Sequence, residues 1–531
     1  MRRTFVSAGV GLAFLAGIVG LFAWREWRGA VPALTPPAGD IAERLGTGSK
    51  TEYPPVETAL GSPLTLPQGF VISIFARDVG PARAMGADPR GTLLVSVPAE
   101  GKIKALVDED RDGTSEKTVI VASGLNRPHG FAVYCHRLDN DLSEDKELCR
   151  LLVAEEHRIS MTTIEREDFQ DLVGSAGDET YIDGTAFETL IDLPAGGRHT
   201  TRTIAFRGEK LPFEEVPGTT GTLFVSVGSA CDVCWEEDKR RGAILAVDLD
   251  FTRGPKEANM VVGEQRIFAS GLRNAVFMAF HPRTNKLWVT EMGRDNLGDA
   301  VPPDEINIVE AGKFYGWPIC YGKNVLDTDF DKNIYIRHPC QEPGDTQSHI
   351  DIPAHSAPLG LAFVPETGWP AGYAGDLLVA YHGSWNRSQP TGYKIVRYKL
   401  DPDGVYEGEE DFISGWLASD YRALGRPVDI FMGRDGVTYI SDDKANVVYR
   451  VAYVGASNRE QKPETPGPAA GGCVVTGCSG QVCAQQETAT DCLYKEEYSC
   501  YKNAVCERQA NGQCGWTSAK ELQECVAGKR I

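Results

Sequence analysis

Polar residues suited to ligand or metal chemistry recur at one kind of place in this sequence, the end of a short apolar run. Glu155 and His157 follow Leu152-Val153-Ala154, Ser229 follows a Val-rich run, and Glu291 closes Leu287-Trp288-Val289-Thr290. His382 follows Leu377-Leu378-Val379-Ala380-Tyr381, and Asp442 follows Thr438-Tyr439-Ile440-Ser441. Carboxylates and imidazoles accept protons and ligate metals, so gathering them in one place would make a site. Cys231-Asp232-Val233-Cys234 is a second candidate. Such a pair can be redox-active, half a zinc site or a structural disulfide; the body has no second CxxC nearby and no thioredoxin-like pattern, so the disulfide is preferred. Asp108 to Gly113 opens like a D-x-D-x-D-G calcium loop, but its twelfth position is Val119 rather than Glu. It is not a full EF-hand, and a peripheral calcium and a solvated acidic turn both stay open.

The elements that must position these residues are strand hairpins. Six copies of an apolar run, a turn and a second apolar strand begin at Ala84, Gly130, Thr203, Phe277, Leu359 and Asp429. Repeated hairpins of this kind predict an all-β, six-bladed β-propeller, in which inner strands converge on a central channel. Strand-end residues then share one site despite wide sequence separation. His129, His355 and His382 are further candidates to line that channel, each against a competing reading as a hydrogen-bonded structural histidine.

The whole chain sets bounds on this picture. It has 531 residues, 42% hydrophobic and 24% charged, with 57 Gly and 31 Pro among many short strand-like runs, a globular and β-rich composition. A formal charge of -20 argues against nucleic acid as a partner. Arg2-Arg3 precedes an apolar run from Thr4 to Trp24. That run nears the roughly 20 residues that cross a bilayer, and no small-x-small cleavage site follows at once. Residues 1–28 therefore read as a signal peptide or an N-terminal membrane anchor, which predicts export to a periplasm. Residues 29–62, rich in Pro and Gly, read as a tether; 63–455 as the propeller; and 456–472 as a second linker. Residues 473–531 form a small module with eight of the 14 cysteines. Four disulfides would replace the core that so short a segment lacks, but their connectivity is not readable. In the body, Cys135 with Cys149 and Cys320 with Cys340 are expected to pair.

Over about residues 63–455 the chain resembles the soluble PQQ-dependent glucose and sorbosone dehydrogenases. The resemblance is carried by Gly271-Leu272-Arg273-Asn274-Ala275-Val276-Phe277, by Leu287 to Arg294, by Asp304-Glu305-Ile306-Asn307 and by Gly312 to Pro318. It implies a sugar or related alcohol or aldehyde substrate, sorbosone-like, oxidised by hydride transfer to pyrroloquinoline quinone (PQQ). It also implies Ca2+ beside the quinone and an electron acceptor such as a cytochrome or a membrane quinone. By the family pattern Arg273 and Asn274 lie beside the quinone oxygens, Arg426 binds a cofactor carboxylate, and Arg387 takes the place of a family lysine. His129 is added as a cofactor-side residue. The carbonyls of Gly293 and Arg294 would hold calcium. Gly196 to Phe206 matches the stretch with the family's catalytic histidine, which makes His199 the base, with Arg273 assisting; an imidazole with a reference pKa near 6.5 suits that task. The glucose-type members place an acid after a Val-Gly pair to orient that histidine. Here Ser229 stands there, and Asp232 is the nearest substitute. A calcium-dependent lactonase-like hydrolase and a non-catalytic binding propeller are the alternatives.

Overall fold

The computed structural model describes residues 64–455, except 138–146, 175–180, 209–219, 251–260, 343 and 434–435, together with short pieces between 473 and 525. The export or anchor segment, the tether and the linker at 456–472 lie outside the described residues. No helix among those described is long and apolar enough to cross a membrane.

Six sheets form the blades of a β-propeller, antiparallel except where Ile182–Asp183 adds to the edge of the first in parallel. The first runs outward through Met85–Ala87, Leu93–Val97, Lys102–Val107 and Lys117–Ser123; the second through Phe131–Arg137, Glu147–Ala154, Arg158–Glu165 and Glu188–Asp192. The third is built on Ile204–Gly208 and Thr220–Val227, the fourth on Ala275–Phe280 and Leu287–Glu291, and the fifth on Pro358–Phe363 and Leu377–Tyr381. The sixth takes Pro427–Met432, Thr438–Asp442 and Val447–Tyr453 from late in the chain and its outer strand, Phe70–Ala76, from early in it. Phe70 pairs with Tyr453 in that closing ladder.

A blade is covered on both faces by its neighbours. The second strands are therefore almost wholly apolar and buried at every position in Leu93–Val97, Leu287–Glu291 and Leu377–Tyr381. The outer strand Tyr406–Ile413 alternates towards solvent instead. Between the fourth and fifth blades Trp288 packs with Leu361, Val379 and Tyr398, all nearly inaccessible. Innermost strands carry register shifts after Ala275, Pro358 and Pro427. Such bulges bend a strand and re-aim the residues at its start, here at the channel.

Close approach of neighbouring innermost strands explains their glycines. A Cβ on Gly360 would stand 2.5 Å from Asp429 Cα and 2.7 Å from Val428 O, both backbone atoms of the next blade. Overpacking of this kind costs about 1–3 kcal/mol. Gly360→Ala is expected to lower the urea midpoint accordingly without changing the slope, and an unchanged midpoint would show that the blades can part.

The body's disulfides pair Cys135 with Cys149, Cys231 with Cys234 and Cys320 with Cys340, as expected from the sequence. The C-terminal module has two hairpins among the described residues, Val474–Thr476 with Val482–Ala484 and Cys506–Arg508 with Cys514–Trp516. Three of its disulfides join Cys473 to Cys514, Cys483 to Cys506 and Cys500 to Cys525. Cys478 and Cys492 lie outside the described residues.

Candidate functional site

In an antiparallel blade the innermost strand starts where the second strand ends, so both contribute residues to the same mouth of the channel. The third and fourth blades bring His199, Ser229, Arg273 and Asn274 together there. A Cβ on Gly228 would lie 2.6 Å from His199 Cβ and 2.9 Å from Asn274 Oδ1, so a glycine is needed for the two to meet. Glu291, at the end of its strand, accepts the Asn274 N–H at 3.0 and 3.2 Å and fixes the turn that presents Arg273 and Asn274.

Arg273 is 3% exposed. Its guanidinium donates to Asp232 Oδ1 (2.7 Å), Asp232 O (2.9 Å), Met292 O (3.2 Å) and Asp295 Oδ2 (3.3 Å). Asp295 also takes a bond from Arg198 at 2.5 Å and one from Asn386 Nδ2 at 2.9 Å. Burial opposes ionisation of Asp232, but Arg273 and the Asp295 N–H outweigh it and hold its pKa below the usual range.

His199 Nδ1 lies 2.9 Å from Ser229 Oγ and 3.1 Å from Ser229 O. Asp232, the substitute considered from sequence, faces Arg273 rather than the imidazole; Ser229 is what touches it. Burial, followed by the cations of Arg273 and Arg198, pushes the His199 pKa down to about 3. The imidazole is therefore neutral throughout the physiological range. Arg198→Gln removes one of those cations, so the His199 pKa is expected to rise, as an NMR titration of the ring carbons would record; no upward movement would mean that burial and Arg273 hold the ring neutral without Arg198.

A second cluster completes the mouth. His382 Nε2 bonds Asp443 at 2.8 Å, and Asp443 is paired with Arg83 at 2.8 Å. Arg426 Nε donates to His382 O at 3.0 Å, and its Nη2 donates to Gly383 O. Arg387 Nη1 donates to Ala354 O at 2.9 Å, while its buried Nε has no partner among the described residues. Among the described residues no carboxylate forms an ion pair with Arg387 or Arg426. His129 is 2% exposed, with Nδ1 3.2 Å from Thr203 Oγ1 and no partner for Nε2 among the described residues. It lines a pocket of about 430 Å³ with Arg83, Arg127, Thr200 and Thr201. His355 instead bonds Gly298 O at 2.7 Å.

Gly293 and Arg294 border a cavity of about 20 Å³ together with Arg273, Glu291, Glu305 and Asp327. A space that size holds one small ion or water. The Gly293 N–H is tied to Asp304 Oδ1 at 2.9 Å and the Arg294 side chain to Asp327 at 2.8 Å. Neither residue's carbonyl accepts a hydrogen bond from the described residues. Burial raises Asp304 and Glu305 to about 7 each and lifts Glu291 well above its ordinary range.

The six strand-end residues named from sequence do not act alike. Ser229 and Glu291 belong to the site, whereas Glu155 is buried beneath the second blade, bonded to Arg158 and Ser160. His157 bonds Asn126. Asp442 accepts the Arg426, Lys444 and Ala445 N–H groups and so builds the turn beside Arg426. Arg83, Arg198, Asp295, Asn386 and Asp443 were not singled out. The repeat itself carries a signal for Arg83: it stands two residues before its innermost strand, as His129, Arg202 and Arg273 do. Away from the channel, Asp108, Asp110, Asp112 and Glu116 bring ligand oxygens within 4.8 Å of one another.

Comparison with known proteins adds to this geometry. The family model described as TrAA12-like matches residues 178–453. An uncharacterized protein of Borreliella burgdorferi is 29% identical over 397 residues, covering 74% of this chain and 91% of its own. The pyrroloquinoline quinone-dependent pyranose dehydrogenase of Coprinopsis cinerea is 25% identical over 377 residues, covering 63% of this chain, which spans 44% of that enzyme's length. The calcium structure of the Trichoderma reesei carbohydrate-active enzyme of family AA12 superposes with a TM-score of 0.56 at 17% identity, over 77% of this chain and 99% of that one.

Proposed function

The chain belongs to the TrAA12-like family, and from that premise we propose that it is a PQQ-dependent sugar dehydrogenase oxidising a hydroxyl-bearing or aldehyde-level carbon. The carrying observation is the meeting at one channel mouth of a neutral histidine whose Nδ1 is engaged and two arginines that form no ion pair with a carboxylate among the described residues. A ligand with three carboxylates and quinone oxygens suits such a donor set. Arg387 and Arg426 would take its carboxylates, Arg273 and Asn274 its quinone side, and His129 Nε2 a remaining polar edge. The unclaimed carbonyls of Gly293 and Arg294 are hard oxygen donors of the kind calcium takes. Bound PQQ supplies the two-electron acceptor, with Ca2+ as its Lewis acid.

The chain's own residues supply the rest. Removing two electrons from a hydroxyl-bearing carbon requires a base for the hydroxyl proton. His199 can receive it on Nε2, for which the described residues offer no hydrogen-bond partner. Its low basicity is offset as negative charge develops on the substrate oxygen, which Arg273 is placed to stabilise. The serine at 229 departs from the glucose-type pattern and favours a sorbosone-like substrate over glucose. A cytochrome or membrane quinone as acceptor, and an exported, periplasmic location with a possible N-terminal anchor, belong to the same proposal. The three disulfides of the propeller support the oxidising compartment. A lactonase-like hydrolase would need side-chain carboxylates caging a metal in the channel. Among the described residues a carboxylate cluster of that kind occurs at Asp108–Glu116 instead.

The test is reconstitution of the full chain, secreted into an oxidising compartment, with PQQ and Ca2+. Stoichiometric quinone absorbance and dye reduction dependent on an aldose, sorbosone or polyol are expected. A folded, calcium-loaded protein that binds no PQQ would overturn the reading.

A further inference from the structure

Ser229 has one hydroxyl proton, and the structure shows where it goes. Ser229 Oγ lies 2.7 Å from Cys231 O, and a carbonyl can only accept. The hydroxyl therefore turns a lone pair, not a proton, towards His199 Nδ1 at 2.9 Å. The other atom near Nδ1, Ser229 O at 3.1 Å, is also an acceptor. With two acceptors facing it, Nδ1 must carry the ring proton, and in the neutral imidazole that leaves Nε2 bare.

What holds the Cys231 carbonyl is a four-residue ring closed by the Cys231–Cys234 disulfide. The same ring is tied to the site at other points. Asp232 O accepts from Arg273 Nε at 2.9 Å and Trp317 Nε1 at 3.2 Å, and its carboxylate bonds Arg273 and the Asp295 N–H. Next to it, the Ala230 N–H bonds Glu236 at 2.6 Å. Ser229 itself is wholly buried, and its N–H donates to Arg273 O at 2.8 Å.

We propose that Ser229 and the Cys231–Cys234 ring form a positioning relay for His199: the ring fixes the Cys231 carbonyl, the carbonyl claims the Ser229 proton, and the serine thereby fixes the imidazole as its Nδ1–H tautomer with Nε2 free to act as base. Both are positioning residues. The relay does with a neutral hydroxyl and a backbone carbonyl what a carboxylate would do, without adding a negative charge beside Arg273. It rests on the dehydrogenase reading only for its purpose, since the tautomer is a property of the protein without cofactor.

The experiment uses the full chain labelled with ¹⁵N at its nine histidines, read by long-range proton–nitrogen correlation, with His199 assigned from the signal lost in His199→Gln. Wild type is expected as the Nδ1–H tautomer. In the Cys231→Ala/Cys234→Ala pair the carbonyl is released, the Ser229 hydroxyl is free to donate to Nδ1, and the Nε2–H tautomer should appear. Adding Ser229→Ala to that pair removes the competing donor and should restore Nδ1–H, a recovery that a merely structural role of the disulfide would not produce. Ser229→Ala alone keeps the tautomer but loosens the ring, so in the reconstituted enzyme kcat should fall roughly tenfold, about 1.4 kcal/mol, at unchanged PQQ affinity. A wild-type imidazole protonated on Nε2, or a cysteine-pair variant that stays Nδ1–H, would overturn the relay whether or not the protein turns over a sugar. If the pair variant does not fold, Ser229→Ala decides through kcat, and an unchanged value overturns it.

Discussion

His199→Gln is expected to lower kcat by roughly 10²–10⁴-fold, the range a positioned general base contributes, while PQQ binds as tightly as before. Glutamine keeps the size of imidazole, and its amide can still bond Ser229, so the loop at 196–203 should hold. It has no lone pair basic enough to take a hydroxyl proton, however. The pH dependence is diagnostic as well. Burial and the two arginines hold His199 neutral down to about pH 3, so no loss of activity near pH 6.5 is expected from this ring in the free protein. A kcat/KM profile with its acidic limb at 6 to 7 would assign the base to another group. Stopped-flow reduction of bound PQQ separates this step from passage of electrons to the acceptor.

The second large effect concerns stability. Arg273→Met is expected to cost about 3–5 kcal/mol, the range seen when one partner of a buried ion pair is removed, and to abolish turnover. Arg273 compensates the Asp232 carboxylate at 2.7 Å and lies 3.3 Å from Asp295. Methionine fills similar space but leaves the buried Asp295 carboxylate and the partly buried Asp232 carboxylate with only the half-exposed Arg198 nearby. In wild type Asp232 has a lowered pKa, so its contribution is present above its unfolded value and fades as pH falls. In the variant burial is opposed only by Arg198 and neutral hydrogen-bond donors, so the folded pKa of both acids rises. A group raised on folding stabilises below its unfolded pKa and loses that contribution as pH rises through the folded value. The defect should therefore be largest at pH 7 to 8 and shrink towards pH 5. Chemical denaturation across that range tests it, and a loss independent of pH would show that packing, not charge, is what Arg273 provides.

The sequence made the propeller legible because a blade buried on both faces writes its second strand as a continuous apolar run, and Leu287–Glu291 and Leu377–Tyr381 are plain examples. The outer strands were harder to read. Phe70–Ala76 gives no local sign that its partner is Val447–Tyr453. At the site, Arg273 and His199 were visible within a motif. Asp295 and Asn386 were not, because they take part through long-range bonds across the mouth, contacts with no sequence period. Four blades place a cation or histidine two residues before the innermost strand, at Arg83, His129, Arg202 and Arg273. Aligning the repeats on that strand would have found Arg83. The fate of the Ser229 proton needed coordinates, since it depends on where one carbonyl points.

Closure of the sixth blade by Phe70–Ala76 also sets an order of events. The propeller's first strand must wait for Val447–Tyr453, its last, and bringing such distant segments together carries the full entropic cost of closing a very long loop. Until then the sixth blade has no outer strand, and the Val447–Tyr453 edge presents unpaired N–H and C=O groups to any passing chain. A circular permutant carrying residues 64–84 after Gly455 would turn that final long-range pairing into a local hairpin. The propeller is thus a ring whose seam lies at its termini, and the seam governs how long a nascent molecule stays open to mispairing.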